Sequence, residues 1–304
     1  KEQVDGVSAS QWIESINTQL ASLDNVQRLT RSTVFGYYDH NFLTILERRT
    51  DHLGLKAVSG PRQCMHRVRA KRVVLAAGAF ERPLVFAHND IPGVMQASSV
   101  STYINRFGVA PGRKLVLATN NDNAYRTALD WHNAGREVVA VVDSRMAPSG
   151  DLVASVKALG ISVFDGSGVI EAKGGKRVRS ALIAALNAEG TQVVGPVQTV
   201  ACDLIATSGG WSAAIHLSSH TGAKPVWDEK IVSFRPGESK QQERSVGSCN
   251  GTFGLAEGTI EGATAGAEAA KLAGFGDGVV KRPLPAVNQV VEQPQQALFL
   301  VPHT

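Results

Sequence analysis

The spacing of hydrophobic and polar positions changes repeatedly along the chain, and each change marks an element. Ser8-Ala-Ser-Gln11 has the spacing of a capping box. Trp12, Ile13, Ile16, Leu20 and Leu23 follow at helical spacing, which predicts a first helix. Residues 26–38 read as a strand, with 42–50 as its partner. Residues 64–70 and 72–77 read as a further extended pair. Within it, Arg72-Val-Val-Leu-Ala-Ala-Gly78 is an almost continuous apolar run, the mark of a buried parallel strand. Residues 100–107 predict a short helix.

The clearest unit comes next. Lys114-Leu-Val-Leu-Ala-Thr119 is an apolar strand, 123–134 is helical with Gly135 as its C-cap, and Glu137-Val-Val-Ala-Val-Val-Asp143 is a second apolar strand. Strand, helix, strand over about 30 residues is a βαβ unit. A helix over 152–159, closed by Gly160, and a short strand over 161–164 extend it. The pattern then alternates over 169–172 and 178–186 around Gly174-Gly175, which predicts a hairpin. Cys202-Asp-Leu-Ile-Ala-Thr207 is again a buried-strand run, ending at Gly209-Gly210. Leu255, Ile260, Ala263, Ala267 and Ala270 mark a small-residue helix over 254–273. The fold class is α/β, with parallel sheets and β-hairpin elements. Residues 1–110 and 200–280 are expected to form one discontinuous domain, with 111–199 inserted as a second and 281–304 as a linker tail.

Composition narrows the function. The 304 residues carry 31 Lys+Arg against 27 Asp+Glu, a net charge of +4, so charge gives no reason to expect nucleic acid. With 43% apolar and 19% charged residues, a folded core is expected and disorder is excluded. Cys64, Cys202 and Cys249 form no CxxC pair and lie at no zinc-type spacing from a histidine. An odd number of cysteines argues against a disulfide scaffold and for a reduced, cytoplasmic setting. No apolar run is long enough to span a membrane, and no signal peptide opens the chain. Lys1 in place of Met, and a Pro-rich end, read as a piece of a longer polypeptide.

Several segments could carry chemistry. A dinucleotide fold needs G-x-G-x-x-G after its first strand, where glycines let backbone amides reach the pyrophosphate. The βαβ unit has Thr119-Asn-Asn-Asp-Asn-Ala124 there instead. Asp122 puts a carboxylate where a phosphate would sit, and Asp143 stands where a ribose-binding acid belongs. The plainer reading is that Asp122 or Asn121 simply caps the helix, and a conventional pyrophosphate site is not expected here. Leu75-Ala-Ala-Gly-Ala-Phe-Glu-Arg-Pro83, followed by Ile91-Pro-Gly93, and Ile205-Ala-Thr-Ser-Gly-Gly-Trp211 end buried strands in small residues, as ligand sites and tight crossovers both do. Val246-Gly-Ser-Cys-Asn-Gly-Thr-Phe-Gly254 leads into a small-residue helix. It suits an anion such as a pyrophosphate, the plain alternative being Thr252 as an N-cap. His216 and His220 stand four apart with no third ligand, and read as surface residues. No metal site and no catalytic acid–base residue are predicted.

Taken together and in order, these segments resemble the flavoproteins with two dinucleotide-binding domains. Glu81-Arg82-Pro83 with Pro92-Gly93 is similar to that family's interdomain motif, and 246–254 occupies the place of its final cofactor motif. A narrower resemblance is to the alpha subunits of heterotetrameric sarcosine oxidases. It is carried by Thr33-Val-Phe-Gly-Tyr-Tyr-Asp-His-Asn41, Gly78-Ala-Phe-Glu-Arg-Pro-Leu-Val-Phe86, Asn89-Asp-Ile-Pro-Gly93, Thr119-Asn-Asn-Asp-Asn-Ala-Tyr-Arg-Thr-Ala128 and Ser208-Gly-Gly-Trp211.

The resemblance implies a Rossmann-like FAD/NAD(P)-binding domain, incomplete at its N-terminus, with a second dinucleotide-binding-like domain inserted. It implies a central slice of a subunit whose first glycine loop and C-terminal folate domain lie outside this sequence. Such complexes demethylate sarcosine oxidatively to glycine, giving hydrogen peroxide and formaldehyde or methylenetetrahydrofolate. The alpha subunit binds NAD, FMN lies at its interface with the beta subunit, and FAD sits in the beta subunit. Beta, gamma and delta subunits are the implied partners. Carried over by position, Val34 meets the adenine through its backbone, and Ala77 and Gly78 line the dinucleotide. Gly247, Thr252, Phe253 and Gly254 hold the pyrophosphate and nicotinamide end. The alternatives are an alpha subunit of a proline, opine or cyanide-forming dehydrogenase, or a non-catalytic scaffold with a vestigial cofactor site.

Overall fold

The computed structural model describes residues 3–56, 59–288 and 292–303. The chain divides into two units. The first takes the described residues of 3–79, Ala213–Asp228 and 233–288; the second takes Phe80–Ser212, Glu229–Val232 and 292–303. The boundaries at 110 and 200 expected from the sequence lie instead at Ala79 and Ser212. The reason is hydrogen bonding: Val94–Gln96 and Leu204–Ser208 both join the sheet built around Lys114–Thr119. The Arg82 amide donates to the Gly210 carbonyl (2.8 Å) and the Gly209 amide to the Arg82 carbonyl (2.7 Å), which pins the two ends of the inserted segment together.

The second unit is three layers deep. Its central sheet is five-stranded and all parallel, in the order Val163–Phe164, Glu137–Asp143, Lys114–Thr119, Leu204–Ser208, Val94–Gln96. Successive side chains of a strand face opposite ways. Leu115, Leu117, Leu204 and Ala206 therefore pack on one side, against Val100, Tyr125, Trp131 and Val156 of the covering helices. Val116, Ala118 and Ile205 face the other side, against Val169, Ile170 and Ile183. That other layer is an antiparallel sheet of Ser167–Gly174, Val178–Ala185 and Gln198–Ala201, whose first two strands form the expected hairpin. Residues 292–303 are no linker. Leu298 and Val301 are buried in this layer, and the Val301 amide donates to the Val85 carbonyl.

The first unit has a smaller core. An antiparallel sheet of Ser32–Tyr38, Phe42–Arg48 and Gln63–Arg69 buries Tyr37 and Leu43 beside Leu75. The first of these strands begins at Ser32 and not at 26. The 64–70 and 72–77 segments do not pair with each other. Gln63–Arg69 pairs with Phe42–Arg48, while Val73–Leu75 runs parallel to Glu243–Ser245. The capping box forms as read: Ser8 Oγ accepts from the Gln11 amide, and Gln11 Oε1 accepts from the Ser8 amide. The helix it starts, Ala9–Ala21, has no buried residue, and the Leu255–Leu272 helix buries only Ala265. Among the described residues, no helix is long and apolar enough to cross a membrane.

Candidate cofactor site

Two short strands position the candidate site in the first unit. Val73, Val74 and Leu75 stand in register with Glu243, Arg244 and Ser245. Parallel pairing puts the C-terminal ends of both strands at the same edge, where ligands of open α/β sheets bind. Ala76–Gly78 leaves one strand there and Val246–Gly254 leaves the other. The Leu75 carbonyl ties them together, accepting from the Val246 amide (2.8 Å) and from Cys249 Sγ (3.2 Å). The register thus brings Ala77 and Gly78 beside the 247–254 loop. Val34 comes in through the core, packing on the Tyr37, Leu43 and Leu75 cluster.

The backbone at this edge is of the kind only glycine adopts with ease. Gly78 has φ +76° and Gly247 φ +66°, and a Cβ added to either would meet nothing within 4 Å. Both therefore hold open space against the main chain, the cradle a dinucleotide needs. Gly247–Asn250 forms a single 3-10 turn closed by Gly251 at φ +87°. The Thr252 amide returns to the Gly247 carbonyl (3.1 Å). Thr252 is not the helix cap: Gly254 holds that position, with no side-chain cap bond.

Two acidic residues that the sequence reading passed over complete the loop. Glu261 Oε2 accepts from the Gly247 amide (2.7 Å), and its Oε1 accepts from Asn250 Nδ2 (2.6 Å). The Glu257 carboxylate folds back against Gly254, where a Cβ would collide with it. Long helical side chains point toward the helix N-terminus, so acids four apart in its opening turns reach the preceding loop. That spacing was the available signal. The consequence is that the Gly247 amide is already committed, which leaves amides nearer the helix start for a phosphate. The open glycines fit a dinucleotide, while the two carboxylates weaken the hold on its phosphates and offer acceptors to its hydroxyls.

Behind the loop, Tyr37 Oη donates to Asn41 Oδ1 (2.7 Å), which also accepts from the Gln242 amide (3.2 Å). Burial, then the nearby Glu243 carboxylate, push the Tyr37 phenol up to about 12, so it stays a donor. Gly36 has no room for a side chain, because a Cβ there would lie 2.6 Å from Thr44 Oγ1. These contacts explain Gly36, Tyr37 and Asn41 as structural parts of the 33–41 segment. His220 Nδ1 accepts from the Tyr37 amide (3.4 Å), so His220 acts within the same framework.

The corresponding loop of the second unit is filled from within. Arg145 Nη2 reaches Asp143 Oδ2 (2.7 Å) and Asp122 Oδ1 (2.8 Å), with both acids buried. Burial works against the Arg145 charge, but the Asp143 and Asp122 carboxylates outweigh it and raise its pKa. Tyr125 Oη donates to Asp143 Oδ2 (2.9 Å). Asn121 Oδ1 accepts from the Ala124 amide (3.3 Å), in the turn before the Tyr125–Asn133 helix, whose cap position is Ala124 with no side-chain cap bond, so neither Asn121 nor Asp122 is the cap. Residues 292–298 then lie across the loop. Asn120 Nδ2 donates to the Gln296 and Leu298 carbonyls, and Asp122 Oδ2 accepts from the Gln293 amide (2.7 Å). The position of a pyrophosphate is thus taken by a carboxylate, its arginine and the chain's own backbone. Nearby, Glu81 accepts from the Ser98 amide (2.8 Å) at the start of the Ala97–Phe107 helix, so the acid of Glu81-Arg82-Pro83 serves as a helix cap.

Sarcosine oxidase subunit alpha of Corynebacterium sp. (strain P-1) is 38% identical over 277 residues, which is 90% of this chain and 28% of that subunit. The chain is a homologue of sarcosine oxidase alpha subunits. The subunit alpha of Rhizobium meliloti (strain 1021) is 40% identical over 261 residues, 86% of this chain and 25% of that subunit. The chain therefore spans about a quarter of the length of the curated relatives it matches. No protein-family profile matches it. L-proline dehydrogenase from P. horikoshii shares the fold, with TM-score 0.64 and 18% identity, covering 91% of this chain and 47% of that one. The α/β fold is thus shared with that dehydrogenase.

Proposed function

We propose that the first unit holds NAD, as part of the alpha subunit of a sarcosine oxidase. In this reading Val34 meets the adenine through its backbone, Ala77 and Gly78 line the dinucleotide, and Gly247, Thr252, Phe253 and Gly254 hold its pyrophosphate and nicotinamide end. The observation that carries it is the parallel register of Val73–Leu75 with Glu243–Ser245, which sets both small-residue loops at one sheet edge. The homology to sarcosine oxidase alpha subunits supports the assembly. The partners are then the beta, gamma and delta subunits, with FMN at the interface with the beta subunit and FAD within it. The complex takes two electrons from the N-methyl carbon of sarcosine and passes them to dioxygen. Water releases glycine and formaldehyde, unless folate accepts the carbon as methylenetetrahydrofolate. This chain supplies binding and orientation, with no acid or base to the chemistry.

The test is mass spectrometry of the acid extract of the intact protein, purified with and without added NAD, for the native sequence and for Gly247→Val. One bound NAD in the native protein, lost in a variant of unchanged circular dichroism, is the expected result. Equal NAD in both proteins moves the site off this loop, and none in either leaves the vestigial scaffold as the reading.

A further inference from the structure

The antiparallel sheet of the first unit carries a second cluster that the cofactor reading does not use. Glu47 stands directly across from Cys64, and Ile45 directly across from His66. Residues two apart on a strand share a face. Glu47, Cys64 and His66 therefore project from one face of two adjacent strands, the face that carries Leu43 into the core. There they lie half-buried. His66 Nε2 lies 2.9 Å from Glu47 Oε2, and one ligand atom of each of the three residues lies within 4.8 Å of the others.

We propose that Glu47, Cys64 and His66 bind a divalent cation of the zinc class. The donor set is one thiolate sulfur, one imidazole nitrogen and one carboxylate oxygen. Magnesium and calcium take oxygen ligands, whereas zinc accepts all three kinds in one tetrahedron. Zinc bonds of roughly 2.0–2.3 Å space neighbouring ligands by about 3.3–3.8 Å, so small side-chain rotations close the cluster on an ion. Water completes the fourth position. The thiol gives up its proton on binding. The backbone needs no change, because the sheet register already fixes all three residues. The separations of 17 and 2 residues match no zinc motif, which is why the sequence predicts no metal here; the register assembles the set.

One side chain competes. Arg49 Nε donates to the same Glu47 Oε2 (3.0 Å), from a side chain that is 45% exposed and has solvent to swing into. Metal binding must displace it. This makes a prediction that a purely structural His66–Glu47 pair does not share: Arg49→Ala tightens the metal, by roughly two- to fivefold.

The experiment is cobalt(II) titration of the intact protein, followed by the visible ligand-field bands of tetrahedral cobalt and the near-ultraviolet sulfur-to-cobalt band. Zinc competition then gives its affinity. The native protein is expected to bind one equivalent more than Cys64→Ser, with the sulfur band absent from that variant. His66→Gln should weaken binding by about tenfold or more while keeping the sulfur band. Circular dichroism confirms that each variant is folded. Equal cobalt uptake and equal spectra in the native protein and Cys64→Ser would overturn the proposal, as would Arg49→Ala loosening the metal.

Discussion

In the second unit the loop after Lys114–Thr119 joins a parallel strand to a helix, as the loop after Glu243–Ser245 does in the first. The two are built from opposite materials. The 246–254 loop spends glycine on positive φ and leaves space beside Gly247. The 119–124 loop spends asparagine and aspartate on buried hydrogen bonds and receives Arg145 and residues 292–298. Connection order is the same in both, so topology alone does not make a nucleotide site. What differs is whether the strand end keeps open space beside its glycines or is filled by a carboxylate, its arginine and the chain's own tail.

The largest test of that contrast is Arg145→Met. It leaves Asp122 and Asp143 buried without their cation, which typically costs about 3–5 kcal/mol. Urea unfolding should show a loss of that order, largely recovered when Asp122→Asn and Asp143→Asn are added. A loss near zero would mean the cluster is no structural plug. Glu261→Ala probes the other loop. It releases the Gly247 amide and the Asn250 side chain, with an expected cost of about 1–2 kcal/mol for a partly exposed charged acceptor. Hydrogen exchange at 247–251 should quicken selectively; uniform exchange would detach Glu261 from the loop.

The smallest effect concerns a buried acid whose titration is governed by burial. Burial holds the Glu81 carboxyl above the usual carboxylate range, against the opposing hydrogen bonds from Ser98. The folded state therefore favours its protonated form. That contribution is full below the unfolded pKa of about 4.3 and is lost as pH rises through the folded value. Glu81→Gln should flatten the fall in stability across weakly acidic pH, read from urea midpoints at several pH values. An unchanged slope would assign the pH dependence to another group, with Glu243, also raised by burial, the next to replace.

What the sequence disclosed follows from how each element is stabilised. Lys114–Thr119 and Glu137–Asp143 are legible because strands covered on both faces must be apolar throughout. The Ser167–Ala185 hairpin is legible because its turn needs glycine. Val73–Leu75 was legible as a strand, but its partner was not. Glu243-Arg244-Ser245 is three polar residues with no period, and it is a strand only because of what lies beside it. The tail was misread for a similar reason: Leu298 and Val301 are isolated apolar residues in a Pro-rich stretch, and only the finished sheet gives them a surface. Glu257 and Glu261 were hidden because a charged residue on a helix usually faces solvent. The site glycines were visible and their carboxylate company was not.

The clasp between Arg82, Gly209 and Gly210 also bears on the order of folding. The cofactor edge needs Leu75 to meet Ser245, across 170 positions of chain. Closing so long a loop from an unfolded chain is slow. Once residues 80–212 have folded on their own core, the clasp holds their two ends together, and the remaining search is short. Protection of the Trp131 region before the Val73–Leu75 amides, in pulse-labelled refolding, is the order this implies. The inserted unit, whose own nucleotide cleft is plugged, then serves as the assembly jig for the open one.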